Sequence, residues 1–288
     1  MSRALALLVL LLTTAGYADE LVQRTEDSLG VTLVYRMADA PFPSGRSRYK
    51  DDTVLVFVPK GFKAKVGGLL DVAVFFHGHF DTAENATAQK ALREQLVKSR
   101  RNAVLVVPQL ATNAHDSSAG KLEKPGGLAR LLLSVQKRLA VDVPALGLRA
   151  AGQGAGGIGT VVVAGHSGGF QGAAFAVSSG GVPIRAVALF DAMYGFSARF
   201  ARWLADAPRE RRLVHVFRPG PGNAMVVRWT GKLRSALGYY KLAITDRSGG
   251  RYAPFDTPAL FLETTTPHSD VPRVNDLFGE FLYHSSLP

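Results

Sequence analysis

The sequence predicts an α/β fold, a mostly parallel central sheet with helices on both faces. Three observations carry this. Short apolar runs alternate with amphipathic segments along most of the 288 residues, the pattern that builds strand–helix–strand units with parallel pairing. Several runs, such as Val72 to Phe76, are apolar at every position, as strands buried on both faces require. No linker or repeat interrupts the chain after position 18, and 47% hydrophobic content is enough for one large core.

At the N-terminus, Met1-Ser2-Arg3 supplies a short positive region, Ala4 to Leu12 an apolar core, and Gly16-Tyr17-Ala18 a small-residue cleavage site before Asp19. This is the pattern of a signal peptide, and the apolar stretch is shorter than the roughly 20 residues of a spanning helix. Residues 1–18 are expected to be removed. Residues 19–288 are expected to form a single domain, periplasmic or extracellular, with no integral membrane segment.

Downstream, Val31 to Tyr35, Val54 to Val58 and Val72 to Phe76 read as the first strands. Asp81-Thr82 offers an N-cap, Glu84 sits in the first turn, and Ala86 to Lys98 reads as one helix with a basic end. Strand Val104 to Val107 and helix Leu128 to Leu139 follow. Strand Val161 to Ala164 then leads into Gly165-His166-Ser167-Gly168-Gly169 and the small-residue helix Phe170 to Ala176. After these come strand Ala186 to Phe190, helix Ala198 to Leu204, strand Leu213 to Phe217, helix Met225 to Leu237, strand Leu260 to Leu262 and a last helix, Val274 to Tyr283.

Composition narrows the chemistry. The absence of cysteine excludes disulfides, a thiol nucleophile and thiolate metal sites. Lys+Arg 34 against Asp+Glu 23 gives a net charge of +11. The basic residues are scattered and are not interleaved with aromatics as a nucleic-acid groove would be. The charge suits an anionic envelope surface as a partner, not nucleic acid. Gly152-Gln153-Gly154-Ala155-Gly156-Gly157 matches a dinucleotide fingerprint, but it precedes a strand instead of leaving one and opening a helix. No cofactor is expected. His77, His79, His115 and Asp116 have no diagnostic metal spacing, and His215, inside a strand, reads as a core residue.

The segment at Gly165 to Gly169 is strand, sharp turn and helix with a serine at the apex. Flanking glycines let the backbone turn tightly, so that the hydroxyl stands above the sheet. In an open parallel sheet, the loops that follow strands gather at the carboxyl edge, where ligands bind. His77-Gly78-His79-Phe80, Ser167, Asp191 and His268 all follow strands and are expected at one rim.

Through His77-Gly78, the Gly165 to Gly169 turn and the chain order Ser167, Asp191, His268, the sequence resembles the α/β-hydrolase superfamily over roughly residues 50 to 288. The resemblance implies a serine hydrolase working through an acyl-enzyme: an ester hydrolase first, with a peptidase or amidase acting on envelope material, or a silent binding domain, as alternatives. Ser167 needs a base to take its proton, and His268, in the loop Thr264 to His268 after the last strand, is the candidate. Asp191 is the candidate acid that orients the imidazole. In this superfamily the acid more often follows the next strand, but Arg218 to Asn223 holds no carboxylate, and Asp246, Asp256 and Asp270 remain alternatives. The Gly168 amide and that of His79, or its neighbour Phe80, are the candidate oxyanion donors. His77 is expected to shape its loop, and His166 to pack beneath the turn. Little room for a large cap follows Asp191, which suits an ester or acyl substrate of some bulk. Residues 220–257, carrying Trp229, Tyr239, Tyr240 and Tyr252, could still fold over the site.

Overall fold

The computed structural model describes residues 19–45, 47–149, 156–254 and 256–288; the signal-peptide reading lies outside them. The strands are β1 (Glu20–Glu26), β2 (Gly30–Arg36), β3 (Thr53–Pro59), β4 (Leu69–Phe76), β5 (Val104–Pro108), β6 (Gly157–His166), β7 (Ile184–Phe190), β8 (Arg212–Phe217), β9 (Ile244–Arg247) and β10 (Ala259–Glu263). The helices are α1 (Ala83–Gln89), α2 (Leu92–Lys98), α3 (Gly127–Asp142), α4 (Phe170–Ser179), α5 (Ser197–Asp206), α6 (Ala224–Tyr239) and α7 (Leu277–Tyr283). The strands form one sheet in the order β1-β2-β3-β5-β4-β6-β7-β8-β10-β9. β1, β2 and β3 pair antiparallel, as do β3 and β5, and every pair from β5 across to β9 is parallel.

The period of two along each strand divides the apolar side chains between two cores. Val72, Val74 and Phe76 of β4 pack on one face with α3, α4, α5 and α6. Ala73 and Phe75 pack on the other with α1, α2 and α7. α3 shows how a sequence pattern becomes a layer: Leu128, Leu131, Leu132, Val135 and Leu139 recur at helical spacing and are all buried.

Three local features depart from the sequence reading. The helix expected over 86–98 is two helices, broken where Ala91 turns to φ +50°. The Gln95 side-chain amide donates to the carbonyl of Lys90, freed by the break, and also to that of Pro272, while its oxygen accepts from Gly279. The break thus turns α2 onto α7. The last helix begins only at Leu277, after Asn275 and Asp276 both take positive φ. Two strands, β1 and β9, had no counterpart in the apolar pattern. They are the edges of the sheet, where neither face must be buried: β1 reads Glu-Leu-Val-Gln-Arg-Thr-Glu and is almost wholly exposed.

The winding places the site. From β4 the chain passes through α1 and α2 to β5; from β5 it passes through α3, on the opposite face, to β6 on the other side of β4. The loops leaving β4 and β6 therefore lie side by side at the carboxyl edge, where the winding reverses. Residues 191–196 join β7 to α5 and residues 218–223 lead from β8 towards α6, with no cap domain inserted in either. Within 220–257, α6 packs its Val226, Leu233 and Leu237 into the core, while Met225 at its start lines a cleft at the sheet edge and Tyr239 is exposed.

Candidate active site

β6 ends at His166, and Ser167 follows with φ +51°. A residue with a side chain is strained there, so the neighbours must hold it. A β-carbon at Gly169 would lie 2.1 Å from the Phe76 carbonyl oxygen, and one at Gly165 would lie 2.9 Å from that of Gly169. Gly169 lets the turn sit against β4, and Gly165 lets the turn close on itself. Ser167 borders two clefts. One, of about 360 Å³, is lined by His79, Ser117, Gly168, Phe170, Tyr194 and Met225 among others. The second, of about 250 Å³, includes His268, His166, Ser269, Asp81 and Lys90.

The loop after β4 is fixed by His77. Its Nε2 accepts from the Leu110 amide at 2.8 Å, so Nδ1 carries the proton and donates to the Gly78 carbonyl at 2.9 Å. Burial lowers its pKa, which keeps the ring neutral and the pattern intact. The loop runs directly over the serine turn: a β-carbon at Gly168 would lie 3.2 Å from the His79 amide nitrogen. Among the described residues no acceptor takes the His79 amide proton. The His79 ring stacks on Phe80, with centroids 4.2 Å apart, and Phe80 is 76% exposed at the rim.

Asp191 leaves β7 at φ +47° and is fully buried. His268 Nδ1 donates to its Oδ2 at 2.7 Å. Its Oδ1 accepts from Asn223 Nδ2 at 2.7 Å and from the Arg218 amide at 3.3 Å. Burial alone would raise the pKa of this carboxyl, but the bonds to His268, Asn223 and Arg218 together hold it below the usual range. Asp191 is therefore a carboxylate with every partner it needs. The Tyr194 phenol, pushed up to about 12 by burial and by the charge of Asp191, stays protonated beside Ser167.

His166 and His215 are buried on either side of this group. His166 Nε2 donates to the backbone carbonyl of His268 at 2.8 Å, which ties the histidine loop to the serine turn. His215 Nε2 bonds Thr230 Oγ1 at 2.8 Å within β8's packing, a core residue as its strand position suggested. Burial lowers their pKa values to about 3 and about 4. A histidine depressed in the folded state binds its proton more readily once unfolded, so stability falls as pH drops below the unfolded value of about 6.5. The unfolding free energy is expected to fall between pH 7 and pH 5 by on the order of 2 kcal/mol per histidine. Urea melts at the two pH values check this, and His215→Asn should remove about half of the difference, leaving the share of His166.

No family model matches this chain, and no curated protein matches it either. Solved structures do. An S-formylglutathione hydrolase from Agrobacterium tumefaciens superposes with a TM-score of 0.54, covering 91% of this chain and 96% of its own at 10% identity. The fluorophosphonate-binding serine hydrolase F of Staphylococcus aureus gives 0.52, covering 87% and 95% at 10% identity. A feruloyl esterase module from Clostridium thermocellum, complexed with sinapinate, gives 0.50, covering 91% and 90% at 9% identity. The chain has the α/β-hydrolase fold.

In α/β-hydrolase terms, Ser167 sits on the turn after β6, Asp191 after β7 and His268 after β10. The structure brings these three and the amides of His79 and Gly168 to one rim of the sheet. The loop after β8, which lacks a carboxylate, supplies Asn223 and the Arg218 amide to Asp191 instead. Asp246 and Asp270 are engaged with Arg234 and Arg273, and Asp256 is exposed. His115 and Asp116 line the larger cleft with His79, and no group of three metal-binding side chains forms among the described residues. The sequence reading missed Asn223, Tyr194 and the anchoring bond of His166. Only Asn223 left a signal, as a polar residue in the loop where an acid was sought.

Proposed function

We propose that this protein is an exported serine esterase that hydrolyses carboxylic esters through an acyl-enzyme on Ser167. One observation carries the reading. The Nδ1–H of His268 is committed to a buried, ionised Asp191 at 2.7 Å, on the cleft that Ser167 also lines. That bond leaves Nε2 as the basic nitrogen, the one a serine hydroxyl needs.

In the proposed reaction His268 Nε2 takes the Ser167 proton as Oγ attacks the ester carbonyl. Asp191 stabilises the imidazolium that results. The amides of Gly168 and His79 donate to the oxyanion, a contribution of about 3 kcal/mol for each well-aimed donor. His268 then returns the proton to the leaving oxygen, and a water repeats the sequence on the acyl-enzyme. The likeness to esterases and serine hydrolases supports this class of chemistry. Export rests on the signal-peptide pattern of residues 1–18, and the net charge of +11, still strongly positive once Arg3 leaves with that segment, suits an anionic envelope surface. The absence of a cap between β7 and α5 supports substrates of some bulk.

The wild-type protein is expected to react stoichiometrically with a fluorophosphonate probe and to hydrolyse activated short-chain esters faster than the matched amides. Folded protein that neither labels nor turns over an ester overturns the proposal.

A further inference from the structure

We propose that the Lys90 ammonium anchors a carboxylate on the alcohol portion of the substrate, so that the preferred esters are those of hydroxy acids. This rests on the serine-esterase reading and adds the class of substrate.

The chemistry assigns the two clefts. His268 returns its proton to the leaving oxygen, so the alcohol departs on the side of His268. His268 and Ser269 line the smaller cleft, whereas Gly168, Phe170, Tyr194 and Met225 line the larger. The smaller cleft therefore takes the alcohol. Several polar side chains line it with His268, namely Lys90, Asp81, Asn85, Gln89 and Ser269, alongside the Phe80 ring.

Lys90 is the unusual member. Its side chain is only 6% exposed, and a lysine that buried is ordinarily paired. Among the described residues its one charged neighbour is Asp81, at 3.8 Å, beyond hydrogen-bond reach, and its ammonium has no hydrogen bond. Asp81 is better provided for, since its Oδ1 accepts from the Thr82 amide at 3.0 Å. The ammonium, ion-paired at that distance but not hydrogen-bonded, therefore keeps its donors open for an acceptor of negative charge in the cleft. A carboxylate supplies it, with the amides of Asn85 and Gln89 as further donors. A phosphate dianion fits less well, because Asp81 stands against the second charge.

The test uses acetyl esters of short ω-hydroxy acids of increasing length, each paired with its neutral carboxamide. Wild-type kcat/KM should favour the carboxylate by about tenfold or more at one length, as a charge-assisted hydrogen bond provides, and the preference should weaken with salt. Lys90→Met should bring the ratio close to one, and Lys90→Arg should keep most of it. The wild-type ratio needs no variant to fold. Turnover of both esters with equal efficiency, or an unchanged ratio in folded Lys90→Met, overturns the assignment and leaves the esterase reading standing. Turnover of neither overturns the assignment, and overturns the esterase reading as well where the folded protein also fails to label with the fluorophosphonate and to hydrolyse an activated ester.

Discussion

Ser167→Ala is expected to lower kcat for ester hydrolysis by about 10⁴- to 10⁶-fold and to abolish fluorophosphonate labelling. The size follows from what remains. The variant keeps the amides of Gly168 and His79 and the clefts on either side, so residual catalysis over water comes from binding and oxyanion stabilisation alone. Covalent catalysis is lost, because no other hydroxyl shares the position of Ser167 at the apex of the turn. The fold should be little affected. Ala and Ser carry the same Cβ, so the φ of +51° is equally strained in both, and Ser167 belongs to neither hydrophobic core. Melting temperature within a few degrees of wild type, together with lost labelling by intact-mass analysis, is the expected pair of results. Labelling that persists at wild-type stoichiometry would place the nucleophile elsewhere.

The fold was legible wherever burial dictates residue type. The runs Val72 to Phe76 in β4, Val104 to Val107 in β5, Val161 to Ala164 in β6 and Ala186 to Phe190 in β7 are buried on both faces, so they are apolar throughout and stand out from the surrounding segments. β1 and β9 were illegible for the converse reason: an edge strand satisfies half its backbone through one neighbour and leaves its side chains to solvent. The break at Ala91 was hidden because alanine is the best of helix formers; Gln95 and α7 override it through contacts 177 and 184 residues away.

The candidate site divides along the same line. Ser167 announces itself because a tight turn demands glycine at fixed, local positions. Asp191 and His268 could be named because strand ends converge at one edge, so topology stands in for contact. The residues that hold them could not. Asn223 reaches Asp191 across 32 positions and His166 reaches the His268 carbonyl across 102, and no periodicity encodes either bond.

Asp191→Asn is expected to cut kcat by about 10⁴-fold with nearly unchanged KM, and the reason lies in the partners of the carboxylate. Oδ1 of Asp191 faces two donors, Asn223 Nδ2 and the Arg218 amide, while Oδ2 faces His268 Nδ1. An asparagine there has one oxygen and one amino group. Its amino group cannot face two donors without opposing them, so its oxygen turns to Asn223 and Arg218. The amino group then points at His268 Nδ1, which can meet it only as an acceptor. The imidazole proton moves to Nε2, and the nitrogen that should take the Ser167 proton already holds one. The variant should therefore fold, bind substrate and still carry its oxyanion donors, yet lack a base. Steady-state kinetics with an activated ester measure the loss, and an imidazole ¹⁵N spectrum of His268 should show the proton on Nε2. Activity within tenfold of wild type would remove Asp191 from the role and turn attention to the exposed Asp256.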